Sequence, residues 1–217
     1  MKSATAKSAA TKTAAPKGGP AKTAPPRGPR VDNRREALLD AAATVFNSHG
    51  FASATIRDIA TAAGMLPGSV YYHFDSKEEL FIAVHEEGIR RTTDTVLQAL
   101  EGIEGPWRRL EAAVGAHLRA ILDRSDYAAV VIAPTRQIDP DLQARLVALR
   151  DSYEVIFRDL IEALPLVAGT DRKYLRLALM GAINWTQTWF KREGEPPETL
   201  GRKLLKVFQQ HRPEGSR

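Results

Sequence analysis

The sequence predicts an all-α protein: an N-terminal three-helix unit built on a helix-turn-helix, followed by a larger helical C-terminal domain. Three observations point there. From Val31 onward apolar residues recur at helical spacing, as at Leu38, Ala41, Ala42, Val45 and Phe46. Capping residues and N-terminal prolines stand at the starts of these runs, as with Thr55, Pro67 and Asp139-Pro140. Thr55 to Lys77 reads in order as a helix, a turn around Gly64, a short second helix and a cap for a third.

The composition bounds what such a protein can be. With 217 residues, 43% of them hydrophobic, the chain can bury one good core and a smaller second one. It has no cysteine, which removes disulfides, thiol nucleophiles and cysteine-ligated metals, and a reducing cytoplasm fits. No apolar run approaches the roughly 18 residues of a membrane span, and no apolar signal-peptide core opens the sequence. A cytoplasmic protein with no membrane partner is expected.

The net charge of +5 is unevenly placed. Residues 1–35 hold nine basic residues against Asp32 alone, leaving 22 basic and 25 acidic residues for the rest. Up to about residue 30 the chain is Ala, Lys, Thr, Pro, Ser and Gly, with lysines at every fifth position from Lys2 to Lys22. Such a stretch cannot bury enough surface to offset its ordering entropy, so residues 1–30 are expected to be a disordered basic tail. It can neutralise phosphates without reading sequence, or serve only as a solubilising leader.

The first helix begins at Asp32 or Asn33 and stops at Gly50; its apolar face makes it a packing brace. Thr55 then offers its hydroxyl as an N-cap with Asp58 three residues on, a short-armed capping box. Ile56, Ile59 and Ala60 form the inner face of the second helix, and Ala63-Gly64 allow a tight exit where φ > 0 is needed. Pro67 suits the first turn of the next helix. Gly68 and Ser69 leave backbone and hydroxyl open to approach from outside, while Val70 and Phe74 point to the core. Outward, Tyr71, Tyr72 and His73 combine flat apolar bodies with polar tips suited to phosphates and thymine methyls. Asp75 or Ser76 caps the following helix. Lys77 stands in its first turn, where the helix dipole disfavours a cation and a phosphate partner would explain it.

The stretch "TIRDIATAAGMLPGSVYYHFDSKEEL" resembles the helix-turn-helix of TetR/AcrR-type transcriptional repressors. That pattern runs Thr-x-Arg-x-Ile-Ala, Ala-Gly, Tyr-x-His-Phe and Ser-Lys-Glu-Glu-Leu, and all of it is present between about Asn33 and Leu80. The resemblance implies double-stranded operator DNA as a partner. Its contacts would fall on Thr55, Arg57, Pro67, Gly68, Ser69, Tyr71, Tyr72, His73 and Lys77. At Met65-Leu66-Pro67 the chain departs from that family's pattern, in which a polar residue often precedes the reading helix. The implied organisation is a tail (1–30), a DNA-binding domain (31–79) and a ligand-binding and dimerisation domain (80–217).

Beyond the head, Lys77 to about Leu100 reads as one long helix linking it to the rest. Trp107, Leu110, Val114, His117, Leu118 and Ile121 share one face. Leu142, Leu146, Leu149, Tyr153, Phe157, Leu160 and Leu164 share another, after the connection "APTRQIDPDL". The last two helices are placed at Asp171 to Phe190 and Pro196 to about Gln210. Ala178, Gly181 and Ala182 keep one side of the first of these thin. In the resembling family this pair forms a four-helix interface between twins, and a two-fold homodimer matches a palindromic operator.

A mostly apolar cavity with a few polar groups is what a small-molecule effector needs. The residues expected to form it are His117, Tyr127, Arg136, Tyr153, Asn184, Trp185, Thr188 and Trp189, and no metal or other cofactor is expected. The ending "AINWTQTWFKREGEPPETLGRKLLKVF" resembles the C-terminal helices of TetR-type regulators of lipid and acyl-CoA catabolism. A fatty acyl-CoA is the effector this implies, with Arg119, Arg124 and Arg136 as candidates for its phosphates.

No Gly-rich phosphate loop, Ser-centred elbow or His/carboxylate cluster with metal spacing is present, so catalysis is not expected. The expected function is a transcriptional repressor released when an effector in the C-terminal core shifts the Lys77 to Leu100 rod and separates two reading heads. The alternatives are a multidrug-sensing repressor of an efflux gene and a sequence-independent architectural DNA binder.

Overall fold

The structure is a computed structural model that describes residues 30–123, 125–133, 138–191 and 193–209. The basic tail, Arg124 and Arg136 lie outside the described residues. Among those described there are helices and turns but no strand, as the all-α reading expects.

The head comprises α1 (Arg30–Ser53), α2 (Ile56–Ala62) and α3 (Pro67–Tyr71). Gly50 kinks α1 at φ 73°, where the sequence puts the helix end. At α2 the capping box forms in full: Asp58 N donates to Thr55 Oγ1 at 3.1 Å and Thr55 N donates to Asp58 Oδ2 at 3.1 Å. Gly64 takes φ 64°, the left-handed value that only glycine adopts without strain, and α3 then starts on Pro67.

The second layer begins with α4 (Lys77–Leu100), capped by Ser76 through Glu79 N at 3.1 Å. Then follow α5 (Pro106–Leu122), α6 (Asp126–Ile132), α7 (Pro140–Glu162), α8 (Arg172–Trp185) and α9 (Pro197–Gln209). The sequence reading has no α6: unlike the equally short α2, this seven-residue helix carries no family pattern to mark it. Ser125 caps it by accepting from Ala128 N at 3.1 Å. Helix α8 was expected to reach Phe190 but gives way at Thr186–Thr188 to a 3₁₀ turn. There the Thr186 and Thr188 hydroxyls donate to the carbonyls of Ile183 and Trp185 at 2.6 and 2.8 Å, the local competition that hydroxyl residues offer a helix.

Two cores result. One joins Leu38, Phe46, Ile59, Val70 and Phe74 of the head to Leu80–Val84 of α4, and to Tyr127, Val130, Leu142 and Leu146 of α6 and α7. The other lies among α4, α5, α7, α8 and α9 around Leu110, Leu118, Phe157, Ile161 and Ile183. A boundary at residue 79 therefore falls inside α4, whose first turns complete the head's core while its end serves the second. Helix α6 crosses α4 at Gly88, where a Cβ would come within 2.8 Å of Val131 Cγ2 and 3.3 Å of Tyr127 O. Glycine at that position is what lets the two helices touch.

Candidate nucleic-acid interface and effector cavity

The head presents one wet face. Pro67, Gly68, Ser69, Tyr71 and Tyr72 are all exposed, while Val70 is fully buried and Phe74 nearly so. Tyr72, 81% exposed, meets His73 edge-on at 5.3 Å between ring centroids. Thr55 and Arg57 are exposed on the flank of α2. The Thr55 hydrogen bonds hold the Asp58 carboxyl below its usual range, so the cap is complete with its carboxylate ionised. Gly68 is helical, and a Cβ built on it meets nothing within 4 Å. Neither conformation nor internal packing requires a glycine there.

Lys77 sits differently from the rest. Its Nζ donates to Phe51 O at 2.9 Å and Ala54 O at 3.1 Å and lies 4.5 Å from the Phe51 ring centroid. The end of α1 thus supplies the partner that the sequence reading sought in a phosphate. Two carbonyls and a ring face offset the unfavourable dipole of α4.

A cavity of about 360 Å³ lies between α4, α5, α6, α7 and α8. Ile89, Ile121, Val131, Leu146 and Met180 give it apolar walls, and His85, His117, Tyr153, Glu154 and Asn184 put polar atoms among them. Three of the expected residues converge there. His117 Nδ1 is 2.7 Å from the Tyr153 hydroxyl and Nε2 is 2.9 Å from Asn184 Oδ1. An amide oxygen only accepts, so Nε2 carries the proton and Tyr153 donates to Nδ1. Burial pushes the His117 imidazole down to about 4, against the Asn184 hydrogen bond, and pushes the Tyr153 hydroxyl up. Both are neutral near pH 7.

The other expected pocket residues are elsewhere, apart from Arg136, which is outside the described residues. Tyr127 is buried under α1, donating its hydroxyl to Asp40 Oδ1 at 2.9 Å with the Arg91 guanidinium 4.2 Å from its ring centroid. Trp185 is 66% exposed and Trp189 49%, and Thr188 is exposed too. Trp185 lies on the outward side of α8, and the 3₁₀ turn that follows buries Thr186 and leaves Trp189 exposed. Arg119 is paired with Glu198 at 2.6 Å and does not line the cavity. Sequence reasoning missed His85, Thr92, Gln143, Arg150 and Glu154. A histidine on the inner side of α4 was the available signal for His85, whereas Gln143, Arg150 and Glu154 lie on α7 beside its apolar stripe and carry no spacing signal of their own.

On α8, the interface residues Ala178 and Gly181 are exposed and Ala182 half-buried. A Cβ on Gly181 meets nothing within 4 Å. With Tyr174, Leu177 and Trp185 they form an exposed stripe of apolar and small residues along one side of the helix. The thin side thus faces outward and does not serve packing within the subunit. Among the described residues no helix is long and apolar enough to cross a membrane.

Two family descriptions match the chain: "Bacterial regulatory proteins, tetR family" over residues 38–84 and "Tetracyclin repressor-like, C-terminal domain" over residues 104–210. The HTH-type transcriptional repressor KstR2 of Rhodococcus jostii is 42% identical over 91 residues, covering 42% of this chain and 38% of that one, so the match spans well under half of the relative. The HTH-type transcriptional activator FasR of Mycolicibacterium smegmatis is 34% identical over 160 residues, 72% of this chain and 71% of that one. Among solved structures, one described as superantigen PfiT superposes with a TM-score of 0.70 at 35% identity, covering 81% of this chain and 96% of that one. With the reading head, the helical body and these matches in agreement, the chain belongs to the TetR family of bacterial regulatory proteins.

Proposed function

We propose that the protein is a transcriptional repressor that binds a palindromic operator as a homodimer and is released by a small, largely apolar effector. The observation that carries this reading is that α4 belongs to both working parts. Lys77 anchors it in the head, and His85, Ile89 and Thr92 on the same helix line the cavity. Eight residues separate Lys77 from His85, about 12 Å along the helix, so an effector that displaces this wall tilts the head's support directly.

A second path runs through α6. Ala128 and Val131 face the cavity, while Asp126 accepts from Thr44 at 2.6 Å and from Asn47 at 2.7 Å on α1. Expansion of the cavity therefore pushes on α1 as well. By linkage, operator DNA lowers effector affinity by the factor through which effector lowers operator affinity.

Thr55, Arg57, Pro67, Gly68, Ser69, Tyr71, Tyr72 and His73 are the proposed DNA contacts, and the outward stripe on α8 is the proposed dimer seam. A fatty acyl-CoA is the first effector to assay. Its acyl chain would take the cavity, leaving the nucleotide outside near the exposed Arg150.

The test is footprinting on DNA flanking the protein's own gene, with and without acyl-CoAs of several chain lengths. A palindromic protected site that persists over competitor DNA and disappears with effector is the expected result. Uniform, salt-labile coverage instead would favour the architectural reading. Release by unrelated drug-like molecules alone would favour multidrug sensing, and a reporter that falls on deletion of the gene would make it an activator.

A further inference from the structure

Apart from the exposed Gln143 and Arg150, the polar side chains on the cavity wall are nearly all accounted for. His117, Tyr153 and Asn184 satisfy one another. Thr92 donates to Gly88 O at 3.0 Å, and Glu154 is paired with Arg176. His85 is the exception. It is 3% exposed, and its Nδ1 lies 3.0 Å from Phe81 O. A carbonyl oxygen only accepts, so Nδ1 carries the proton and Nε2 presents its lone pair. Among the described residues that nitrogen, on a cavity-lining side chain, meets no hydrogen-bond partner. Burial holds the imidazole below its ordinary value, against the Phe81 hydrogen bond, which keeps the ring neutral. A buried acceptor with no donor is costly and uncommon in a folded protein.

We propose that Nε2 of His85 sets effector specificity: the effector is a compact apolar molecule carrying a hydroxyl or N–H group that donates its hydrogen to this nitrogen. The inference rests on the cavity being the effector site. It deepens that reading by naming the group the site selects. A carboxylate, ether or ester oxygen would bring lone pairs against a lone pair at this depth. Such groups suit the exposed Gln143 and Arg150 instead, both of which donate. A simple acyl chain and its thioester carry no donor, so an acyl-CoA meets the requirement only through the amide N–H, hydroxyl or amino groups of its coenzyme A part.

The same ring reaches the head. Phe81, one turn earlier on α4, meets His85 edge-on at 4.4 Å, packs on Phe46 at 5.0 Å and lies 4.5 Å from Phe51. Phe51 in turn holds Lys77 through its carbonyl and its ring. The imidazole that would meet the effector therefore also packs against the head's aromatic cluster.

The test compares primary alkanols from hexanol to decanol with the methyl ethers of the same alkanols, by calorimetric titration of the full chain. Alcohols should bind about tenfold or more tightly than their ethers. In His85→Phe that ratio should fall to near unity with ether binding retained. Because the variant itself could fold poorly, the ¹⁵N resonance of His85 Nε2 is followed in the wild-type protein. Alcohol, but not ether, should move it toward the hydrogen-bonded range. Equal affinities in the wild type, a preference that survives His85→Phe, or an unmoved resonance overturns the proposal while leaving the cavity as the effector site. If neither series binds at all, the cavity reading fails and this inference fails with it.

Discussion

Gly68→Ala separates a glycine kept for the fold from one kept for a partner. The residue is helical, with no positive φ, and the added methyl would meet nothing within 4 Å. Inside the subunit the substitution removes backbone freedom from the unfolded chain and should stabilise α3 by about 0.5–1 kcal/mol. At a DNA surface the same methyl projects from the exposed side of α3, between Pro67 and Ser69, and lifts the helix off the groove. The direct contacts then lost are worth about 1–3 kcal/mol per base pair read, or roughly tenfold to a hundredfold in operator affinity. The assay is fluorescence anisotropy on the footprinted operator, alongside urea denaturation of the same preparation. The expected pair of results is weaker DNA binding with equal or higher stability. Unchanged affinity would falsify the placement of Gly68 against DNA, and a loss of stability would mean that the packing argument is wrong.

Lys77→Met should lower stability by about 1–2 kcal/mol, because the carbonyls of Phe51 and Ala54 lose a charged donor. The salt dependence of operator binding should keep its slope; a slope reduced by about one, with stability intact, would return Lys77 to the phosphate. His117 titrates at about 4 when folded, against 6.5 as its ordinary value. Its contribution is therefore complete above about pH 6.5 and lost as pH falls toward 4, on the order of 3 kcal/mol in all. His85 adds in the same direction. Denaturation midpoints measured down this range should fall, with the slope flattened in His117→Gln, and an equal slope in that variant would assign the loss to other groups. On α8, Gly181→Arg should yield a folded monomer in sedimentation and abolish cooperative operator binding, since the position is open within the subunit. A dimer of undiminished affinity would place the seam elsewhere.

The head was legible because its determinants are local. Thr55 and Asp58 lie three residues apart and close a capping box within one turn. Gly64 supplies its left-handed turn by itself, and Pro67 starts α3 with no help from elsewhere. The family pattern could therefore be read along the chain, and an exposed α3 followed from burying Val70 and Phe74. The body was legible only in outline. His117, Tyr153 and Asn184 were named together and do converge, because each falls on the apolar face of its own long helix. Tyr127, Trp185, Thr188 and Trp189 are large or polar residues in the right region, and chemistry of that kind does not say which way a side chain turns.

What the sequence determined by itself was the all-α class, the reading head with its caps and turn, the thin side of α8, and, through the resemblance of the head's pattern, the family. All but the family, which rests on that resemblance, follow from propensities and spacings acting over a few residues. Only the tertiary structure decided that α4 is shared by two cores, that α6 exists and meets α4 at Gly88, and that Lys77 is held by α1. It alone left His85 with an unpartnered nitrogen on the cavity wall. Those facts depend on which faces meet across tens of residues of chain. A cavity is what several helices leave between them, so no one helix's sequence contains it.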